Sequence, residues 1–211
     1  TTADGIVVLC HDLNLKRVAG VDRTLGSMTY SQLEQLDVGS HFSPEFKGER
    51  IPALREVLEA CKGRMKLNIE LKNIGNDTSL PEQVAALVKE YDMEDQCVIT
   101  SVKLKYLERV KDMNPDLRTG YILAAAYGNY YESGDFDFIS IRSSFAGRRL
   151  VEAVHGKAIH VWTVNSKTEM NQMKLLGVDN IITDYPARAR EILYREEATE
   201  TLMEYLKMMI R

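Results

Sequence analysis

Short apolar runs rich in β-branched residues alternate along this chain with amphipathic stretches, and that alternation narrows its fold more than any other feature. The runs Ile6–Cys10, Leu67–Leu71, Cys97–Thr100, Thr119–Leu123, Phe138–Ile141, Ile159–Val164 and Asn180–Thr183 read as strands. Most are unbroken apolar runs rather than strict alternations, as expected of parallel strands covered on their outer face. Between them, Thr29 offers a cap to a helix presenting Leu33 and Leu36, and Pro52 opens a helical pattern with Leu54, Val57 and Leu58 on one face. Pro81–Tyr91, Leu104–Met113, Arg148–Val154, Lys167–Leu176 and Ala187–Tyr194 continue the helical series. Strand followed by helix, nearly to the end, predicts an α/β fold with parallel strands.

Such a chain can close its sheet or leave it open. An open dinucleotide-binding sheet would carry a Gly-rich turn after its first strand, and this sequence has none. Polar residues gather instead at the C-terminal ends of several strands: His11 and Asp12, Glu70 and Lys72, Ser101, Trp162 with Asn165, and Asp184. A barrel assembles its site in that way, from separate strands, so a closed barrel is expected. The 211 residues, 45% hydrophobic and 27% charged, suit one domain over 1–195 followed by a helical extension over 196–211. In that extension Leu202, Tyr205, Leu206, Met209 and Ile210 fall near one stripe, suited to packing on the barrel exterior or on a partner.

A formal net charge of -4 argues against general nucleic-acid binding, which a concentrated basic surface usually drives. No apolar stretch approaches the roughly 18 residues of a membrane span, so the chain as it stands reads as soluble. Cys10, Cys61 and Cys97 are odd in number and far apart, which suggests neither a zinc site nor a disulfide framework, and leans towards a reducing compartment. Cys10 and Cys97 read as buried structural thiols.

Four positions draw the chemical argument. A histidine at a strand end, His11, can move a proton near neutral pH, and a neighbouring carboxylate such as Asp12 can orient it, although the dipeptide alone is weak evidence. In Asn68-Ile69-Glu70-Leu71-Lys72 the alternate residues Asn68, Glu70 and Lys72 share one face of a strand. A structural ion pair and a ligand site, with Glu70 on a metal and Lys72 on a phosphate, carry comparable weight there. Trp162, the one tryptophan, is a core residue by default and an apolar wall of a site if it lies at a strand end. His41, His155 and His160 read as structural, and Asp184 as the cap of the helix that follows it.

Taken in order, five stretches resemble the glycerophosphodiester phosphodiesterase family. They are Asp4-Gly5-Ile6-Val7-Val8-Leu9-Cys10-His11-Asp12 with Leu15 and Arg17; Arg50-Ile51-Pro52-Ala53-Leu54 with Glu56, Val57 and Leu58; Asn68 to Lys72; Val161-Trp162-Thr163-Val164-Asn165; and Gly177-Val178-Asp179 through Thr183-Asp184-Tyr185-Pro186. The resemblance implies a TIM-type (β/α)8 barrel of the phospholipase-C-like phosphodiesterase kind, acting in lipid and glycerol metabolism. It implies hydrolysis of a small-molecule phosphodiester to glycerol 3-phosphate and an alcohol, with Ca²⁺ or Mg²⁺. By the same resemblance His11 matches the second of two catalytic histidines, Glu70 a metal ligand, Lys72 a phosphate-contacting lysine and Trp162 a substrate-pocket aromatic.

The family's opening His-Arg-Gly and Glu-x-Asp segments have no counterpart here, so an N-terminally incomplete barrel is expected. A longer parent protein ranks first as the explanation, strands supplied by another chain second, and a catalytic relic third. The resemblance also allows a parent attached to a membrane through an N-terminal region, beside a cytoplasmic protein. Two alternatives stand beside hydrolysis of glycerophosphodiesters: a non-catalytic module binding phosphate or a lipid headgroup, and a phospholipase of related barrel design.

Overall fold

Residue pattern becomes parallel sheet in this computed structural model, which describes residues 1–72, 79–123, 134–154 and 156–194. The chain divides into two compact units, Thr1–Thr119 and Gly120–Arg211. The first holds α1 (Lys16–Ala19), α2 (Tyr30–Leu33), α3 (Leu54–Cys61), β1 (Leu67–Glu70), α4 (Leu80–Glu90), β2 (Cys97–Ser101) and α5 (Leu104–Met113). Strand β3 (Arg118–Leu123) runs across the division. The second unit continues with β4 (Phe138–Arg142), α6 (Arg148–Ala153), β5 (Ala158–Trp162), α7 (Lys167–Leu176), β6 (Asn180–Ile181) and α8 over 186–194. His155 and the proposed helical extension over 196–211 lie outside the described residues.

In the first unit β1 and β2 pair in parallel, Leu67 opposite Cys97 and Glu70 opposite Thr100. Period-two patterning then sends Ile69 and Leu71 into the core, while Asn68 and Glu70 stay exposed on the other face. Leu80, Val84, Ala85 and Val88 line the buried face of α4, and Tyr106, Leu107 and Val110 that of α5. Together with Leu54, Leu58, Ile99 and Leu117 most of these residues form one continuous apolar cluster. A bidentate pair clamps α5 to α4, with Arg109 Nε and Nη2 each donating to Glu82 at 2.6 Å. Arg55 of α3 likewise pairs with Glu90 of α4.

A second apolar cluster, Leu15, Leu25, Met28, Leu33 and Ile51, supports the N-terminal loops. Thr29 caps α2 as expected, and the cap is a reciprocal box: Thr29 Oγ1 accepts from Gln32 N, and Gln32 Oε1 accepts from Thr29 N. Glu56 joins α2 to α3, because its Oε2 accepts from both Tyr30 Oη at 2.8 Å and Ala53 N at 2.7 Å.

The predicted strand Ile6–Cys10 is a correction. Among the described residues this run makes one antiparallel bridge, Val8 with Ala53, flanked by Leu9 N to Pro52 O and Leu54 N to Val7 O. Pro52 has no amide hydrogen to donate, so the ladder cannot extend through it.

The second unit is the more regular. Strands β3, β4, β5 and β6 pair in sequence and in parallel, with Gly120 opposite Phe138, Phe138 opposite Ala158, and His160 opposite Asn180. Phe138 is fully buried and stacks on His160 at 4.0 Å between ring centroids, which bears out a structural role for that histidine. Helix α7 begins with the reciprocal Ser166–Glu169 box and ends on Gly177 at φ +74°, a left-handed conformation that glycine adopts without steric cost. Asp179 next holds the strand edge: its Oδ2 accepts from Ile159 N at 2.7 Å, and its own N–H donates to Ile159 O. Strand β6 is shorter than the sequence suggests, because Thr183 and Asp184 turn away to bond Asn165.

No helix of the described residues is long and apolar enough to cross a membrane. The three cysteines carry free thiols, and burial pushes Cys97, the most enclosed, up to about 11.

The loop from Asp37 to Glu49 yields an acid-sensitivity prediction. Asp37 accepts from Ser40 Oγ at 2.6 Å and from the amides of Gly39 and Ser40, and these bonds lower its carboxyl to about 2. A carboxyl depressed on folding stabilises above its unfolded value, roughly 3.9, and loses that contribution as pH falls through about 2. The Tm difference between wild type and Asp37→Asn is therefore expected to shrink from pH 5 towards the acid end of that window (~pH 2). A difference constant across the series would rule out the linkage.

Candidate active site

His11 follows the Val8 bridge and projects into solvent, its side chain 78% exposed. Its neighbour Asp12 is only 19% exposed and is held from two sides. Arg17, one turn into the following segment, grips the carboxylate with both arms of its fork, Nε to Oδ2 at 2.5 Å and Nη2 to Oδ1 at 2.9 Å. His11 Nδ1 meets the same Oδ1 at 2.8 Å. Because an ionised carboxylate only accepts, Nδ1 is the donor in this contact, and the neutral tautomer then carries its lone pair on Nε2. The Arg17 and His11 bonds hold Asp12 well below the usual carboxylate range.

Sequence order explains how Arg17 arrives there. Leu15 is fully buried and anchors the loop, while Asn14 and Lys16 both bond Asp22, so the short α1 turns Arg17 back over Asp12. His41, which the sequence reads as structural, lies exposed with Nε2 3.3 Å from Arg17 Nη1 and thus extends the same cluster.

Glu70 and Lys72 share a face, as period two requires, and pair at 3.6 Å. Beside them Asn68 Oδ1 accepts from Thr100 Oγ1, and Ser101 Oγ donates to Leu71 O, which holds the ends of β1 and β2 together. Among the described residues no hydrogen bond or ion pair joins His11 to Glu70 or Lys72. Burial pushes the Cys10 thiol up, and its bond to the Asp12 backbone offsets part of that rise. It is half-buried, with Sγ donating to Asp12 O, rather than the enclosed core thiol expected.

In the second unit Trp162 ends β5 half-buried, as expected of a strand-end aromatic. Its indole Nε1 is buried with no hydrogen-bond partner among the described residues. Arg142 ends the neighbouring β4 and sits opposite Trp162 in the register. Sequence reasoning missed Arg142, and the signal was only its place at the end of a strand. Asp184 is a correction, since its carboxylate accepts from Asn165 Nδ2 at 2.7 Å, two residues before α8 begins, rather than capping that helix. Asn165 Oδ1 in turn accepts from Thr183 Oγ1 and Asp184 N, and Arg188 bonds the Asn165 carbonyl.

Among the described residues Glu70 is the one candidate cation ligand that the sequence marks. Those residues contain no group of three or more His, Cys, Asp or Glu placed to share an ion, and Glu70 is paired with a lysine. Calcium alone ordinarily takes six to eight oxygen ligands.

Parallel strands in chain order, helices after them and ionisable groups at strand ends are the plan of a TIM-type α/β barrel enzyme. The chain belongs to the glycerophosphoryl diester phosphodiesterase family, whose model matches residues 1–188. It is 32% identical over 196 residues to a glycerophosphodiester phosphodiesterase of Caldanaerobacter subterraneus subsp. tengcongensis, covering 88% of this chain and 79% of that one. A human lysophospholipase D is 25% identical over 241 residues, covering 93% of this chain and 76% of that protein. Among solved structures, an Oleispira antarctica phosphodiesterase in complex with its product sn-glycerol-3-phosphate superposes with a TM-score of 0.79. It is 26% identical and covers 91% of this chain and 81% of that one.

Proposed function

We propose that this protein hydrolyses glycerophosphodiesters to glycerol 3-phosphate and an alcohol, with His11 as its proton-transfer group. The observation that carries the reading is the chain of bonds from Arg17 through Asp12 to His11 Nδ1. It holds the imidazole in one tautomer and leaves Nε2 as the nitrogen that meets substrate. As a water attacks the phosphorus and the phosphorus–oxygen bond to the alcohol breaks, the proton that the water loses must reach the leaving oxygen, and His11 is the group that moves it. The family resemblance gives Lys72 the role of an ammonium on the phosphate oxygens and Trp162 that of an apolar wall for the carbon skeleton.

A divalent cation, Ca²⁺ or Mg²⁺, with Glu70 as one ligand belongs to the same proposal and rests on the family resemblance. Its test is chelation: turnover untouched by excess EDTA removes the cation from the reading. For the reaction itself, purified protein is mixed with glycerophosphodiesters and, in parallel, with lysophospholipids; glycerol 3-phosphate release is measured from the first set and release of the headgroup alcohol from the second. Product from the first set supports the reading. Turnover of lysophospholipids alone favours the second reading, towards which the human relative points. Binding without product from either leaves a phosphate- or headgroup-binding module.

Asp12 acts through His11, as a positioning residue. Asp12→Asn is expected to lower kcat/KM by about 10²-fold, the scale of a catalytic group displaced by an ångström. The same change made in His11→Ala should cost almost nothing more, because groups acting as a unit are not additive. Equal losses in both backgrounds would make Asp12 merely structural.

A further inference from the structure

The C-terminal ends of β4 and β5 carry a pair of which the proposed reaction uses only the tryptophan. Arg142 and Trp162 face each other in the strand register, and the Arg142 guanidinium carbon lies 5.5 Å from the centroid of the Trp162 ring, within cation–π range. Arg142 is exposed, and among the described residues it makes no ion pair and no hydrogen bond to a carboxylate. Its planar fork therefore keeps its donors for a ligand. Trp162 Nε1–H is buried without an acceptor among the described residues, so the donors open to a ligand are those of the guanidinium. The pair thus presents positive charge and donors, with no negative group of its own.

A tryptophan face at a strand end would ordinarily attract a quaternary ammonium. Here that face already holds a cation, and a second one would meet like charge.

We propose that Arg142, held over Trp162 at cation–π distance, sets the headgroup preference of the diester site, favouring leaving alcohols that carry an anionic group and disfavouring those that carry a quaternary ammonium. The inference rests on the reading of Trp162 as a wall of the substrate pocket. A phosphate or carboxylate on the headgroup takes the guanidinium fork bidentately. A choline headgroup has to approach a ring whose face is occupied.

The experiment compares wild type with Arg142→Gln on glycerophosphoinositol 4-phosphate, on glycerophosphoglycerol as the uncharged-headgroup reference, and on glycerophosphocholine. In wild type, kcat/KM for the anionic substrate should exceed that for glycerophosphocholine by about 10-fold to 100-fold, the scale of one hydrogen-bonded charge pair. In Arg142→Gln the anionic substrate should fall towards the reference, and glycerophosphocholine should rise as the ring face opens. Equal use of both substrates by wild type, or a preference that survives the substitution, overturns the proposal. Because Trp162 is the only tryptophan, its fluorescence reads the same pair without turnover. If no diester is hydrolysed, the catalytic reading fails, and the titration decides the inference alone. Saturable quenching by glycerophosphoinositol 4-phosphate that Arg142→Gln abolishes upholds it, and a flat titration ends it.

Discussion

Replacing His11 by alanine is expected to lower kcat/KM for a glycerophosphodiester by about 10²-fold to 10⁴-fold, the usual contribution of one general acid–base group. Folding should be indifferent to the change. The side chain is 78% exposed, and its one polar contact among the described residues is with Asp12, which keeps its bidentate bond to Arg17 when the imidazole goes. Surface changes of this kind stay within roughly 0.5 kcal/mol. Steady-state release of glycerol 3-phosphate and a thermal melt separate the two effects. Turnover within a factor of two of wild type would remove His11 from the mechanism, whatever the melt showed.

The largest stability effect is expected at Gly120. Its strand partner is Phe138, and a β-carbon built on Gly120 would lie 2.1 Å from Phe138 Cε2 and 2.2 Å from Cζ, far inside van der Waals contact. Phe138 has nowhere to retreat, being fully buried and stacked on His160 at 4.0 Å. Gly120→Ala must therefore push a packed ring off its rotamer, and overpacking of this kind costs about 1–3 kcal/mol or more. Urea denaturation should show the midpoint falling without a change in slope. Phe138→Leu introduced beside Gly120→Ala should return part of the loss, since the two positions share one volume. A Gly120→Ala midpoint equal to wild type would mean that the ring has room the structure does not show.

Those two positions differ in how far they can be read from sequence. His11-Asp12 stands out as a pair at the end of an apolar run, and the resemblance to the phosphodiesterase family gives the histidine a role. Gly120 sits in an ordinary strand pattern, and only the register, which places Phe138 directly opposite, makes it intolerant of a methyl group.

The same contrast runs through the fold. Helices Leu104–Met113 and Lys167–Leu176 have the bounds that apolar spacing and capping predict, because their amphipathic faces are long enough to leave one solution. Strands β2 to β5 lie where the β-branched runs lie, within two residues at either end. Ile6–Cys10 has the same look and makes only a bridge, since strand periodicity says that a run can pair but cannot name its partner. The available partner contained Pro52, which ends a ladder.

The sequence by itself determined the parallel α/β class, the family, the shared face of Glu70 and Lys72, and the strand-end position of Trp162. Those properties follow from local periodicity and from motifs contiguous in the chain. Only the tertiary structure decided that Arg17 grips Asp12 with His41 beside it, that Asp184 serves Asn165 rather than a helix, and that Arg142 lies over the Trp162 ring. Each of these is a side-chain contact across a loop or between strands. Its partners are set by where the packed core leaves the backbone, and no spacing along the chain encodes that.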